Sequence, residues 1–134
     1  RLGWQPDGRF GEQDIAWLGR VAVPTTAGRL AAEIAASLAR QPLLIGDSQR
    51  PLRRLGWCTG GAQGYFEAAI AAGADVFITG EISEPQAHLA REMGVGFIAA
   101  GHHATERYGA PAAAAHVARH LGLEHRFIDI DNPA

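Results

Sequence analysis

Lysine is absent from the 134-residue chain, and all twelve basic residues are arginine. There is one cysteine, Cys58, and one methionine, Met93. A single thiol excludes an internal disulfide framework and any zinc site built on paired cysteines. No apolar run approaches the ~20 residues that a helix needs to cross a bilayer, so no membrane role is expected. Charged residues make up 19% of the chain against 47% hydrophobic, a balance that excludes a disordered segment. The formal net charge of −2 and the missing lysines count against nucleic acid as a partner. The start shows no charged-then-apolar leader pattern. With one thiol and no targeting segment, the cytoplasm is the expected location. The start at Arg1 and the lone internal Met93 lead us to expect a processed or partial chain.

What remains is enough for one domain with its own core. Residues 1–13 hold three glycines and a proline without any period, and read as a linker or loop remnant. Residues 14–134 read as a single α/β domain. Apolar patterning predicts strands at 15–23, 43–45, 55–59, 76–79, 95–100 and 125–130, and helices at 27–39, 63–72, 84–93 and 111–121. An exposed turn is expected at 50–54 around Pro51, and a polar loop at 101–109. Ser83 and Gln86 have the spacing of a capping box. From Leu55 onward strand and helix alternate, which implies right-handed βαβ units. The expected fold class is therefore α/β, with a mostly parallel or mixed sheet flanked by helices.

Three polar clusters fall at strand ends, where open α/β sheets collect their ligands. In Gly101-His102-His103-Ala104-Thr105-Glu106-Arg107, a helical turn would put His102 and Glu106 on one face. Imidazole and carboxylate together suit Zn, Mn, Fe or Ni. The competing reading is a polar loop that caps the next helix, and two ligands are too few for a metal site. In Thr79-Gly80-Glu81-Ile82-Ser83-Glu84, Glu81 could accept a proton or orient a ligand histidine, with His88 one turn into the helix. Capping and the helix dipole explain that acidic run equally simply. Thr59-Gly60-Gly61-Ala62-Gln63-Gly64 matches no phosphate-loop pattern and reads as a tight turn. Cys58, just before it, reads as a small buried hydrophobe.

Taken in order, Gly56 to Gly61, Phe77 to Glu84, Gly101 to Arg107 and Phe127 to Ala134 resemble the carboxyl-terminal part of the Nif-three-like dinuclear metal-centre proteins. These are also called the type 2 GTP cyclohydrolase I family and include the YbgI-type proteins. The resemblance implies a Nif-three-like fold, a toroidal homohexamer, and a centre of two divalent metal ions between two halves of a longer chain. It implies that His102 and Glu106 are ligands, with Glu106 bridging, and that a missing amino-terminal half supplies the rest. It points to a two-metal hydrolase acting on a small nucleotide-like molecule, with His103, Glu81 or His88 in supporting or proton-transfer roles. A non-enzymatic metal-binding or metal-delivery protein, or a ring-shaped scaffold, would use the same ligands without turnover.

Overall fold

The computed structural model describes residue 2 and residues 4–130 and 132–134. Six strands form one mixed sheet in the order β1-β2-β4-β5-β6-β3: β1 (Gln5–Phe10), β2 (Ala16–Thr26), β3 (Leu43–Ile45), β4 (Pro51–Trp57), β5 (Val76–Thr79) and β6 (Gly96–Ala99). The helices are α1 (Ala27–Leu38), α2 (Phe66–Ala71), α3 (Glu84–Met93), α4 (His102–Glu106) and α5 (Gly109–Leu121). The pairs β4–β5 and β5–β6 are parallel. The remaining pairs, β1–β2, β2–β4 and β3–β6, are antiparallel. The sheet is thus mixed, with its parallel part in the middle.

β5 and β6 are short and almost wholly apolar because both faces of the sheet are covered there. On one face Leu30, Ala31 and Ile34 of α1 meet Leu55, Val76, Ile78 and Ile98. On the other, Phe66 and Ala69 of α2 and Ala90 of α3 meet Phe10, Phe77 and Phe97. Phe77 and Phe97 stand edge to face at 5.8 Å, and Phe66 and Phe97 at 4.9 Å. Thr26 caps α1 by accepting a hydrogen bond from the Arg29 amide, and Gly94 ends α3 in a left-handed conformation.

Five expectations need correction, the first being the polar loop at 101–109, where residues 102–106 form α4 and α5 begins at Gly109. The segment read as a linker or loop contains β1. Its side chains are mostly exposed, so it joins the sheet through backbone pairing with β2, around an irregularity between Pro6 and Gly8, and leaves no apolar alternation to read. Residues 51–54 are no turn: β4 begins at Pro51, opposite Thr26, and a strand's first position tolerates a missing amide proton. Ser83 occupies the N-cap of α3 without a side-chain hydrogen bond, so the capping box does not form. Residues 123–130 form neither helix nor strand, because no described strand lies alongside to pair with them.

Phe77 is fully buried at the centre of the aromatic cluster. Phe77→Ala should cost about 3–5 kcal/mol, measured as a drop in the urea unfolding midpoint with an unchanged slope.

A histidine held between two carboxylates at the sheet edge

Parallel pairing sends β4, β5 and β6 out of the sheet at one edge, and the backbone ladder continues beyond the strand ends. The Gly80 amide donates to the Gly60 carbonyl at 2.9 Å, and the Gly101 amide donates to the Gly80 carbonyl at 2.9 Å. Three loops are thereby laid side by side. Two threonines clamp them. Thr79 Oγ1 donates to the Gly60 carbonyl at 3.0 Å and accepts from the Ala62 amide at 3.3 Å. Thr105 Oγ1 accepts from the Gly60 amide at 3.0 Å and lies 2.9 Å from the Gly101 carbonyl.

Two glycines make this closeness possible. A Cβ on Gly80 would come within 2.6 Å of His102 Cα and 2.7 Å of the Gly60 carbonyl oxygen. Gly60 has φ +70°, and a Cβ there would fall inside the Glu106 carboxylate. A run that reads as a tight turn therefore also leaves room for the carboxylate beside it.

Into this edge α4 turns His102 and Glu106, one helical turn apart. His102 Nδ1 lies 2.5 Å from Glu81 Oε1, and His102 Nε2 lies 2.9 Å from Glu106 Oε2. Glu81 is held in turn by Gln63 Nε2, which donates to its other oxygen at 3.2 Å. The His102 side chain is 39% exposed and that of Glu106 50%. Ionised carboxylates only accept hydrogen bonds, and a neutral imidazole has one donor. Both contacts are satisfied together only when positive charge sits on or beside the ring. Accordingly the Glu81 and Glu106 hydrogen bonds raise the His102 pKa above its ordinary 6.5. The same His102 bond, helped by Gln63, lowers the Glu81 pKa below 4.5. Burial, with the Glu106 charge nearby, pushes the Cys58 thiol up, which keeps it protonated, although the side chain is part-buried rather than the fully buried hydrophobe expected.

Of the residues singled out by sequence, Glu81, His102 and Glu106 come together. His103 sits beside them with its Nε2 buried and unpartnered, while its backbone amide donates to the Ala134 carbonyl at 3.2 Å. His88 stays on the exposed surface of α3, 3.7 Å from Glu84, and makes no contact with the cluster. Gln63, Thr79 and Thr105 escaped the sequence reading. Their only signal was position, at or just beyond a strand end. Among the described residues no group of three or more His, Cys, Asp or Glu side chains could by itself hold a metal ion. Next to the threonine clamp lies a cavity of about 270 Å³, lined in part by Trp4, Trp57, Tyr108, Thr59, Thr79 and Thr105.

The fold and cluster define an α/β protein with a histidine–carboxylate site at the carboxyl edge of a parallel ladder. Residues 1–133 match the family Duf34/NIF3 (NGG1p interacting factor 3), and the chain belongs to that family. It is 52% identical over its whole length to a "GTP cyclohydrolase 1 type 2 homolog" of Neisseria meningitidis serogroup B, covering 54% of that protein. It is 47% identical to the protein of the same name from Pseudomonas aeruginosa, again covering 54% of it. Among solved structures, protein ybgI superposes with TM-score 0.92 at 42% identity, over 99% of this chain and 53% of that one. A Thermus thermophilus protein does so with TM-score 0.82 at 25% identity, over 99% of this chain and 52% of that one. The chain thus spans about half the length of the curated relatives it matches.

The electrostatics give a test in the metal-free chain. By NMR, His102 should titrate above 6.5, and Glu81→Gln should move its midpoint back toward that value. The raised His102 pKa contributes stability that is complete below 6.5 and is lost as pH rises through the folded value. The lowered Glu81 pKa contributes stability present above 4.5 and lost as pH falls through its folded value. The pair should therefore stabilise the fold most between about pH 4.5 and 6.5, seen as a maximum in the Glu81→Gln stability difference across a pH series.

Proposed function

We propose that this chain contributes part of a divalent-metal centre, with His102 Nε2 and Glu106 as ligands and Glu81 as the group that orients His102. The observation that carries the reading is His102 held by carboxylates at both ring nitrogens. The contact between Nε2 and Glu106 calls for positive charge, which a cation can supply in place of a proton. Glu81 on Nδ1 is the arrangement that fixes the tautomer and orientation of a ligating imidazole. The donor chemistry, one nitrogen and carboxylate oxygens, fits Zn, Mn, Fe or Ni. The room beside Gly60 keeps the Glu106 carboxylate free of backbone crowding.

Two donors leave a coordination shell incomplete. By the resemblance noted above, the remainder of a family-length chain would supply the other ligands, so that the complete site would hold two divalent ions, in a toroidal homohexamer in the cytoplasm. Two bound ions would supply an activated water and stabilise charge developing on a substrate. The residues of this chain would orient the ligand imidazole through Glu81 and hold the loop geometry through Thr79 and Thr105. The adjoining cavity, with Trp57 and Tyr108 on its wall, has the mixed apolar and polar lining of a small-molecule pocket. It supports a hydrolase acting on a nucleotide-like substrate. The names of the relatives point the same way. A second reading, metal binding and delivery without turnover, would use the same two ligands.

Metal per chain, by elemental analysis of the family-length protein, tests the ligands. Glu106→Gln and His102→Ala should each lower occupancy while the thermal unfolding of the metal-free forms stays near wild type. Unchanged occupancy in both would return the cluster to a helix-capping loop. Glu81→Gln should weaken binding by about 10–100-fold rather than abolish it. Because ligation needs the unprotonated Nε2 and the His102 pKa is raised, metal retention should begin to fall, as pH is lowered, above 6.5.

A further inference from the structure

The cavity of about 270 Å³ beside the threonine clamp is walled by rings. Trp4 precedes β1 and Trp57 ends β4, and their indoles meet edge to face at 5.4 Å, inclined by 62°. That pairing suits the ring quadrupoles and makes a corner of the cavity without filling it. Tyr108 adds a third ring, and Ile34 and Leu38 of α1 add apolar surface. The volume falls just below the roughly 300 Å³ at which pockets for drug-sized ligands begin. A fused ring system fits such a space, and a whole nucleotide does not.

Among the described residues that line it there is no carboxylate, amide, imidazole or guanidinium. Those are the groups that read a base edge, by paired hydrogen bonds. A lone indole N–H cannot make a paired contact. The hydroxyls of the clamp are already spent: Thr79 Oγ1 on Gly60 and Ala62, and Thr105 Oγ1 on Gly60, Gly101 and His102. A phosphate would meet no cation among these residues, and the nearby Glu81 and Glu106 would repel it unless a metal ion lay between. Helix α4 joins the cavity to the cluster. Thr105 lines the cavity from the helix that carries His102 and Glu106, and Tyr108 follows that helix. A ring seated here lies against the helix that holds the ligands.

We propose that this cavity seats a neutral, planar heteroaromatic ring by stacking, and selects it by shape without reading its edge. The site then takes such rings as a class, with any anionic part of the molecule left outside at the metal edge, a specificity that rests on this edge being the substrate site proposed above. Buried groups that pair with a substrate's polar edge reject an unmatched analogue by roughly 10⁴–10⁵-fold. Stacking has no such selectivity, because every base has a π-face. Adenine and guanine, equal in outline and different at the edge, should therefore bind alike.

Equilibrium dialysis of the metal-free family-length protein against radiolabelled adenosine, guanosine or ribose tests it. Both nucleosides should bind, with dissociation constants within about tenfold of each other, and ribose should not. Binding of neither nucleoside, a preference beyond about tenfold for one of them, or equal binding of ribose would overturn the proposal. Trp57→Leu should weaken both nucleosides by about tenfold or more, while metal per chain in the loaded protein stays at the wild-type level. Undiminished nucleoside binding in that variant would also overturn it. If Trp57→Leu fails to fold, the nucleoside ratio and the ribose control on the wild-type protein still decide. Ring binding is measured without metal, so the two readings fail separately: unchanged metal occupancy in the His102 and Glu106 variants rejects the metal centre, and lost ring binding with normal metal content rejects the ring seat.

Discussion

Parallel pairing of β4, β5 and β6 puts three chain exits on one edge of the sheet, and every contact of the site follows from that placement. Parallel strands must be joined by crossovers, so α2 and α3 are spent on returning the chain, and the loops before them all open on the same side. The ladder then runs past the strand ends, from Gly60 to Gly80 to Gly101. Glycine at Gly80 allows the backbone of His102 to come within contact of its neighbour. Thr79 and Thr105 join the loops crosswise. The side chains that carry chemistry therefore sit on short loops pinned to a rigid core, which is how a precise arrangement is made from exposed residues.

Within that frame the electrostatics are unbalanced. Two carboxylates meet one imidazole, and Arg107, next in sequence to Glu106, is engaged by Asp129. The cluster satisfies its hydrogen bonds with a proton on the ring, and its excess of acceptors favours a cation. The proposed metal binding rests on the same physics as the raised His102 pKa: a region of negative potential attracts a proton or a metal cation alike. It also explains why proton and metal should compete at a higher pH than for an ordinary histidine.

Much of the parallel core was legible in the sequence. Val76 to Thr79 and Val95 to Ala100 are short apolar runs between glycines, and that pattern survives because both faces of a central strand are buried. The meeting of Glu81 with His102 followed from parallel strands joined by one helix, and the i, i+4 spacing of His102 and Glu106 from a single helical turn. The outer parts were not legible. β1 holds its place by backbone hydrogen bonds, which leave no mark on side-chain type. Residues 125–130 carry strand patterning, but no described strand pairs with them. His88 resembled a site residue because local spacing says nothing about which way a helix faces. Gln63, Thr79 and Thr105 act through long-range contacts that no local motif encodes.

The central claim is that the sheet edge presents His102 Nε2 and Glu106 as a ready pair of ligands, with Glu81 behind the ring. The most direct measurement is anomalous difference density from a crystal of the family-length protein grown with Mn or Zn. The account predicts a peak at coordination distance from both His102 Nε2 and a Glu106 oxygen, with Glu81 still hydrogen-bonded to Nδ1. Metal peaks that avoid both side chains, or a metal bound at Nδ1 with Glu81 displaced, would contradict it.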